Sequence, residues 1–274
     1  MQHTVTLKYQ NRRKERMKTR IIKKITLISL LVCSSLYGKS SELDANGLID
    51  IAGKQRMLSQ RIAKDYLYVG KNIAINRSDK QLKASLNEFF KIHSKLSVSI
   101  SDPEIKNLLD FVALSTDELK SVSNQKFTID NAQLILDLTE SMLEGSQYIV
   151  NSLVKGKKIK NFAVLEKAAK QRMLSQRIAK YYIAYQSGIK DENTVNSMKN
   201  TVQEFSDNLN ILLQNKNSVK VNKKLKEIDR LWKIVHKFYN NIEKGGLPLI
   251  VFNTTDKITK KMDEVTKLYR QSNK

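Results

Sequence analysis

The chain has 274 residues, and its 49 Lys and Arg against 27 Asp and Glu leave a formal charge of +22. With 41% hydrophobic residues it carries enough apolar side chain to bury cores, which excludes a disordered polycation. Two prolines and nine glycines exclude a turn-rich β-sandwich; one cysteine excludes a disulfide framework or a thiolate zinc site, and His3, His93 and His236 are too far apart in sequence to suggest a metal cluster.

Lys18, Arg20, Lys23 and Lys24 precede an apolar run from Ile25 to Leu36, which Gly38, Lys39, Ser40 and Ser41 follow. That order of charge, apolar stretch and small residues reads as a signal peptide over 1–38. The run falls short of the roughly twenty residues that span a bilayer, so the expectation is cleavage and a soluble periplasmic chain rather than an uncleaved anchor. A start at Met17 removes an unusually long basic extension. Bulky Leu31 and Val32 disfavour Cys33 as a lipoprotein site. Without 1–38 the charge is about +14. An exported basic chain meets anionic small molecules, envelope lipids and acidic proteins; no nucleic-acid motif is present.

The remaining chain reads as helices. A long one is predicted from Leu43 to Ile73. Ser78-Asp79 is a cap signal for a second, with Leu82, Leu86, Phe89 and Ile92 at spacings of three and four. Ser101-Asp102-Pro103-Glu104 starts a third, with proline where its missing N–H costs nothing. Asp130 opens a fourth through Leu134, Leu138, Met142 and Ile149. Four more follow at 158–188, 191–215, 219–241 and 248–271, with Gly245-Gly246 and Pro248 marking the last turn. Lys155-Gly156-Lys157-Lys158 lies between the two sets, and the fourth helix is expected to run almost straight into the fifth.

The two sets are copies. Lys54–Lys64 and Lys170–Lys180 both read KQRMLSQRIAK, eleven identities at an offset of 116 residues. The same offset pairs Ala52 with Ala168, Tyr66 with Tyr182, Glu88-Phe89 with Glu204-Phe205, Thr139 with Thr255 and Glu140 with Asp256. The fold expected is therefore all-α: two tandem antiparallel four-helix bundles, 42–157 and 158–273, related by duplication.

On the first helix Ile51, Leu58, Ile62 and Val69 form an apolar stripe. The opposite stripe, with Ala52, Gly53, Arg56, Ser59, Gln60 and Ala63, is small and polar. Such a face lets another backbone come close, so the first helices of the two copies are expected to pair about a pseudo-twofold axis, within the chain or between chains as a homodimer. In that seam Arg56 and Arg172 would repel unless an anion lay between them. The candidate site is thus an anion clamp of Arg56 and Arg172 with Ser59, Gln60, Ser175 and Gln176 as neutral donors. The opposing reading pairs each arginine with a carboxylate of its own bundle, such as Glu88, Glu204, Glu140 or Asp256, and periodicity does not separate the two.

KQRMLSQRIAK, preceded by Ile49-Asp50-Ile51-Ala52-Gly53, resembles the signature of the N-terminal sensor domain of PilJ-type type IV pilus chemotaxis transducers. That domain is similar to the periplasmic sensor domains of nitrate/nitrite-responsive histidine kinases, antiparallel four-helix bundles that pair through their first helices. The resemblance implies that the arginine of the RMxS core, here Arg56 and Arg172, clamps nitrate across the pair. Two features depart from it. Gln60 and Gln176 follow the core serine where the nitrate-responsive sensors carry an aromatic. No HAMP-like, kinase or methyl-accepting segment follows either copy, so signalling would need a separate membrane receptor or sensor kinase.

Catalysis is not expected: no Ser-His-Asp or Cys-His set, phosphate loop, HExxH or paired-carboxylate motif appears, and no cofactor is implied. His93 and His236 read as surface or boundary residues, Trp232 as core, and Met57 and Met173 as packing residues rather than copper ligands. Three functions compete: an oxyanion-binding sensory protein, a structural adaptor of an envelope or pilus-chemotaxis complex, and a basic protein held at anionic surfaces.

Overall fold

The computed structural model describes residues 45–155 and 162–272. The expected signal peptide and the junction after Lys155 lie outside the described residues. Among these the chain is helical throughout, with no strand. The helices are α1 Ala45–Gly70, α2 Ile75–Ser99, α3 Pro103–Ser123, α4 Ile129–Val154, α5 Phe162–Ser187, α6 Glu192–Gln214, α7 Val219–Tyr239 and α8 Pro248–Ser272, with a 3₁₀ turn Ile242–Lys244 before the last.

Local chemistry starts most of them. The Asp102 side chain accepts from Ile105 N at the head of α3, with Pro103 in the first turn. Thr128, Asp191 and Ser218 cap α4, α6 and α7 in the same way. The head of α2 differs from the cap predicted at Ser78. The helix begins earlier, after Asn72 (φ 55°) and Ala74 (φ 48°) reverse the chain in left-handed geometry. Ser78 is left inside the first turn, where its hydroxyl donates to the Ile73, Ala74 and Ile75 carbonyls.

α1 packs on α2, α4 and α5, and α5 packs on α6, α8 and α1; α3 closes against α2 and α4, and α7 against α6 and α8. The α1–α5 contact is made within the chain. α3 and α4 approach closely at Gly145, where a Cβ would stand 2.4 Å from Val112 Cγ2. Trp232 is buried, its ring centroid 4.2 Å from Phe205 and 5.6 Å from Tyr239. Met57 and Met173 are core residues, and His93 and His236 are half-buried.

The two central helices are buried all round rather than on one stripe. From Ala52 to Tyr68 only Lys54 and Arg61 reach intermediate exposure, and α5 repeats this between Ala168 and Ala184, where Lys170 and Arg177 are the exceptions. The strongly polar KQRMLSQRIAK segments thus lie inside the molecule. A buried polar group costs stability unless it is partnered, so each of these side chains raises an accounting question. No helix among the described residues is long and apolar enough to cross a membrane.

Candidate functional site

The serine and glutamine of each motif face the fourth helix of their own set. Ser59 Oγ donates to Arg56 O at 2.9 Å, and Gln60 Nε2 to Thr139 O at 3.2 Å. Ser175 Oγ donates to Arg172 O at 2.9 Å and lies 2.5 Å from Thr259 Oγ1, to which Gln176 Nε2 also donates at 2.6 Å. Only Gln176 reaches across to α1, accepting from Arg61 Nε at 3.3 Å. Gln60 thus ties α1 to α4, with its Oε1 left without a partner, and Ser175 and Gln176 tie α5 to α8, Gln176 also donating to Asp256 Oδ1 at 3.3 Å; Ser59 bonds only within α1 and to Gln60.

Arg56 crosses between the sets to a carboxylate, whereas Arg172 bonds a carboxylate of its own set and only approaches one across the seam. Arg56, 1% exposed, holds Glu166 of α5 through two parallel bonds, Nη1 to Oε1 at 2.5 Å and Nη2 to Oε2 at 2.9 Å. Nη1 also donates to Gln147 Oε1 at 2.6 Å. Arg172 occupies the equivalent place with looser partners. Its Nη1 donates to Asp263 Oδ1 at 2.9 Å, its Nη2 stands 3.8 Å from Asp50 Oδ1, and neither Nε nor Nη2 has a hydrogen-bond acceptor. The partners are quasi-equivalent: Asp50 and Glu166 are 116 residues apart, as are Gln147 and Asp263.

The carboxylates that periodicity offered the arginines serve other cations. Glu88 pairs with Lys54 at 2.7 Å and Glu204 with Lys170. Glu140 of α4 receives Lys180 and Arg177 of α5, and Asp256 of α8 receives Lys64 of α1 at 2.7 Å. The last two are one interaction made twice, each lysine wholly buried and each acid supplied by the other set. Burial alone would raise the Glu140 and Asp256 carboxyls, but Lys180 and Arg177 beside the first and Lys64 and Gln81 beside the second outweigh it and hold both below the ordinary range. Lys64 and Lys180 were absent from the sequence-derived site. The pairing of Glu140 with Asp256 at the repeat offset was the available signal.

One feature breaks the equivalence. Asp65, which stands 116 residues before Tyr181, is wholly buried 3.1 Å from Lys64 Nζ, yet neither of its oxygens finds hydrogen-bond geometry. Burial raises its pKa to about 7, with Lys64 opposing and Asp256 adding to the rise.

Beside Arg172 a cavity of about 340 Å³ opens between α1, α5 and α8. Lys54 and Arg61 of α1, Arg172 of α5, and Lys260, Lys267 and Arg270 of α8 line it; Asp50 and Asp263 are the carboxylates on its wall. Among the described residues no group of three His, Cys, Asp or Glu could hold a metal. What the arrangement can do is bind: guanidinium and ammonium charges surround a space that Arg172 borders on one side, its Nε and Nη2 buried there without an acceptor.

Residues 39–120 match the family described as the type IV pili methyl-accepting chemotaxis transducer N-terminal domain, PilJ. A PilJ domain is therefore found over that part of the chain. No curated protein and no solved structure matches the chain.

Proposed function

We propose that this chain is an exported, periplasmic, non-enzymatic sensory module that takes a small anion beside the seam of its two central helices and reports the bound state to a membrane receptor or sensor kinase. The PilJ domain over 39–120 points to chemotaxis- or pilus-related sensing. In this reading the chain is two tandem copies of an antiparallel four-helix unit, 42–157 and 158–273. Contacts that repeat at an offset of 116 residues support the duplication, as with Lys64–Asp256 and Lys180–Glu140. Lys54 against Glu88 and Lys64 against Gln81 support antiparallel neighbours, since a later residue of α1 meets an earlier one of α2.

The observation that carries the ligand reading is the cationic cavity wall with Arg172, 4% exposed, in it, its Nε and Nη2 buried without an acceptor. Such donors are worth most to an anion that accepts from them. Arg172 is the ligand-facing member of the pair; Arg56 closes the opposite seam on Glu166. Ser59, Gln60, Ser175 and Gln176 position the two helices rather than touch the ligand. The test is a melting screen of the full chain with nitrate, nitrite and larger oxyanions against chloride at matched ionic strength. A saturable rise with any of them, lost in Arg172→Ala, supports the reading, and no rise with all of them overturns it.

A second reading, a structural adaptor without a ligand, is favoured by the bidentate Arg56–Glu166 pair, which leaves that arginine no fork for a small molecule. Co-purification of an envelope or pilus-chemotaxis partner that is indifferent to anions and to Arg172→Ala would select it.

A further inference from the structure

We infer that the cavity beside Arg172 takes a multivalent anion, a small molecule carrying two or more carboxylate or phosphate groups, and that each chain offers one such site instead of two equivalent ones. This rests on the sensory reading above and specifies its ligand.

Charge is the first ground. Six cationic side chains and two carboxylates line the space, an excess of four. Glu88, holding Lys54 from outside, reduces the excess to three. Arg270 spends a bond on Asp50 at 2.6 Å, and Lys267 and Arg172 share Asp263. Arg61 hydrogen-bonds only a neutral amide, that of Gln176, with Asp256, the partner of Lys64, near enough to feel its charge, and Lys260 has no carboxylate partner among the described residues. A monovalent ion would leave two positive charges facing one another; a ligand with two or three negative charges compensates them. Room is the second ground. About 340 Å³ is roughly ten times the ~30 Å³ share of a water molecule, the space of an organic acid or a diphosphate and far more than one nitrate fills.

Asymmetry between the repeats gives the third. The residues 116 positions before Lys260, Lys267 and Arg270 are Glu144, Asn151 and Val154. The motif is duplicated to the letter, but the basic wall on the fourth helix exists in the second set alone. At the equivalent place in the first set Arg56 is already closed by Glu166 and Gln147. The duplication thus preserves the seam and differentiates the site.

The test is isothermal titration of the full chain with nitrate, citrate and pyrophosphate at matched ionic strength. Citrate or pyrophosphate should bind at one per chain, about tenfold or more tighter than nitrate, and which of the two is tighter assigns carboxylate or phosphate chemistry. Lys260→Ala, at an exposed position, should weaken it about threefold or more, and Arg61→Gln about tenfold. Glu144→Ala, the counterpart of Lys260, should leave it unchanged. Nitrate binding as tightly as the multivalent ions, two sites per chain, or indifference to both cation variants would overturn this inference while the sensory reading stands. Failure of all three anions to bind would remove the sensory reading and this one with it.

Discussion

Replacing Glu140 with Gln tests whether the contact between the two helical sets is a dry, charged seam. Lys180 is wholly buried and Glu140 is its ion-pair partner, so the variant strands an ammonium in the interior and releases Arg177 from the same acid. Breaking a buried pair from one side costs about 3–5 kcal/mol, because the remaining charge is uncompensated. For a chain of this size that is a fall in Tm of roughly 6–20 °C. Asp256→Asn removes the quasi-equivalent acid from Lys64, but there Asp65 stands 3.1 Å away. Without Asp256, one of the charges raising its pKa is gone, so Asp65 ionises and takes over part of the pairing. The expected loss is about half as large, ~2 kcal/mol. Urea unfolding at pH 7 followed by circular dichroism measures both. Because the Glu140 carboxyl lies below its ordinary value of 4.5, its contribution is present above that value and vanishes as pH falls through the folded pKa. The gap between variant and parent should therefore close in acid. Equal losses for the two variants, or a Glu140→Gln loss under about 1 kcal/mol, would show that water reaches the lysines and refute the dry seam.

Asp65 carries a pH dependence of opposite sign. With its folded pKa raised from 3.8 to about 7, it favours the folded state fully below pH 4 and loses that advantage as pH rises through 7, an effect of at most about 4 kcal/mol. Asp65→Asn should therefore gain stability relative to the parent between pH 5 and pH 8, and parallel profiles would place the group in water. Ala179→Leu adds three carbons on a wholly buried position of α5 and should cost about 1–3 kcal/mol by overpacking, more than Ala→Leu at an exposed site, in the same urea assay.

The sequence by itself determined the helices and their grouping. Asp102-Pro103 starts α3 because capping and proline chemistry act within a few residues, and the recurrence of KQRMLSQRIAK 116 residues on is visible without coordinates. The expected meeting of α1 with α5 is found, but Gln60 of the small-residue stripe turns to α4 of its own set, and Arg56, Arg61 and Lys64 make the polar contacts with the other set. Other features were decided only by the tertiary structure. The cap expected at Ser78 was displaced because two left-handed residues, Asn72 and Ala74, turn the chain before it. Helical periodicity assigns a residue to a face but not to a partner on another helix, so it offered Glu88, Glu204, Glu140 and Asp256 to the arginines while space gave them to lysines of the motif and to Arg177. Glu166, the acid that meets Arg56, lies on α5 and reaches across only when α1 and α5 are side by side, whereas Arg172 bonds Asp263 of its own set and only approaches Asp50 of α1 at 3.8 Å. The same holds for the cavity: Lys54, Arg172 and Arg270 are separated by more than a hundred and ninety residues end to end, and only the packing of α1, α5 and α8 brings their charges round one space.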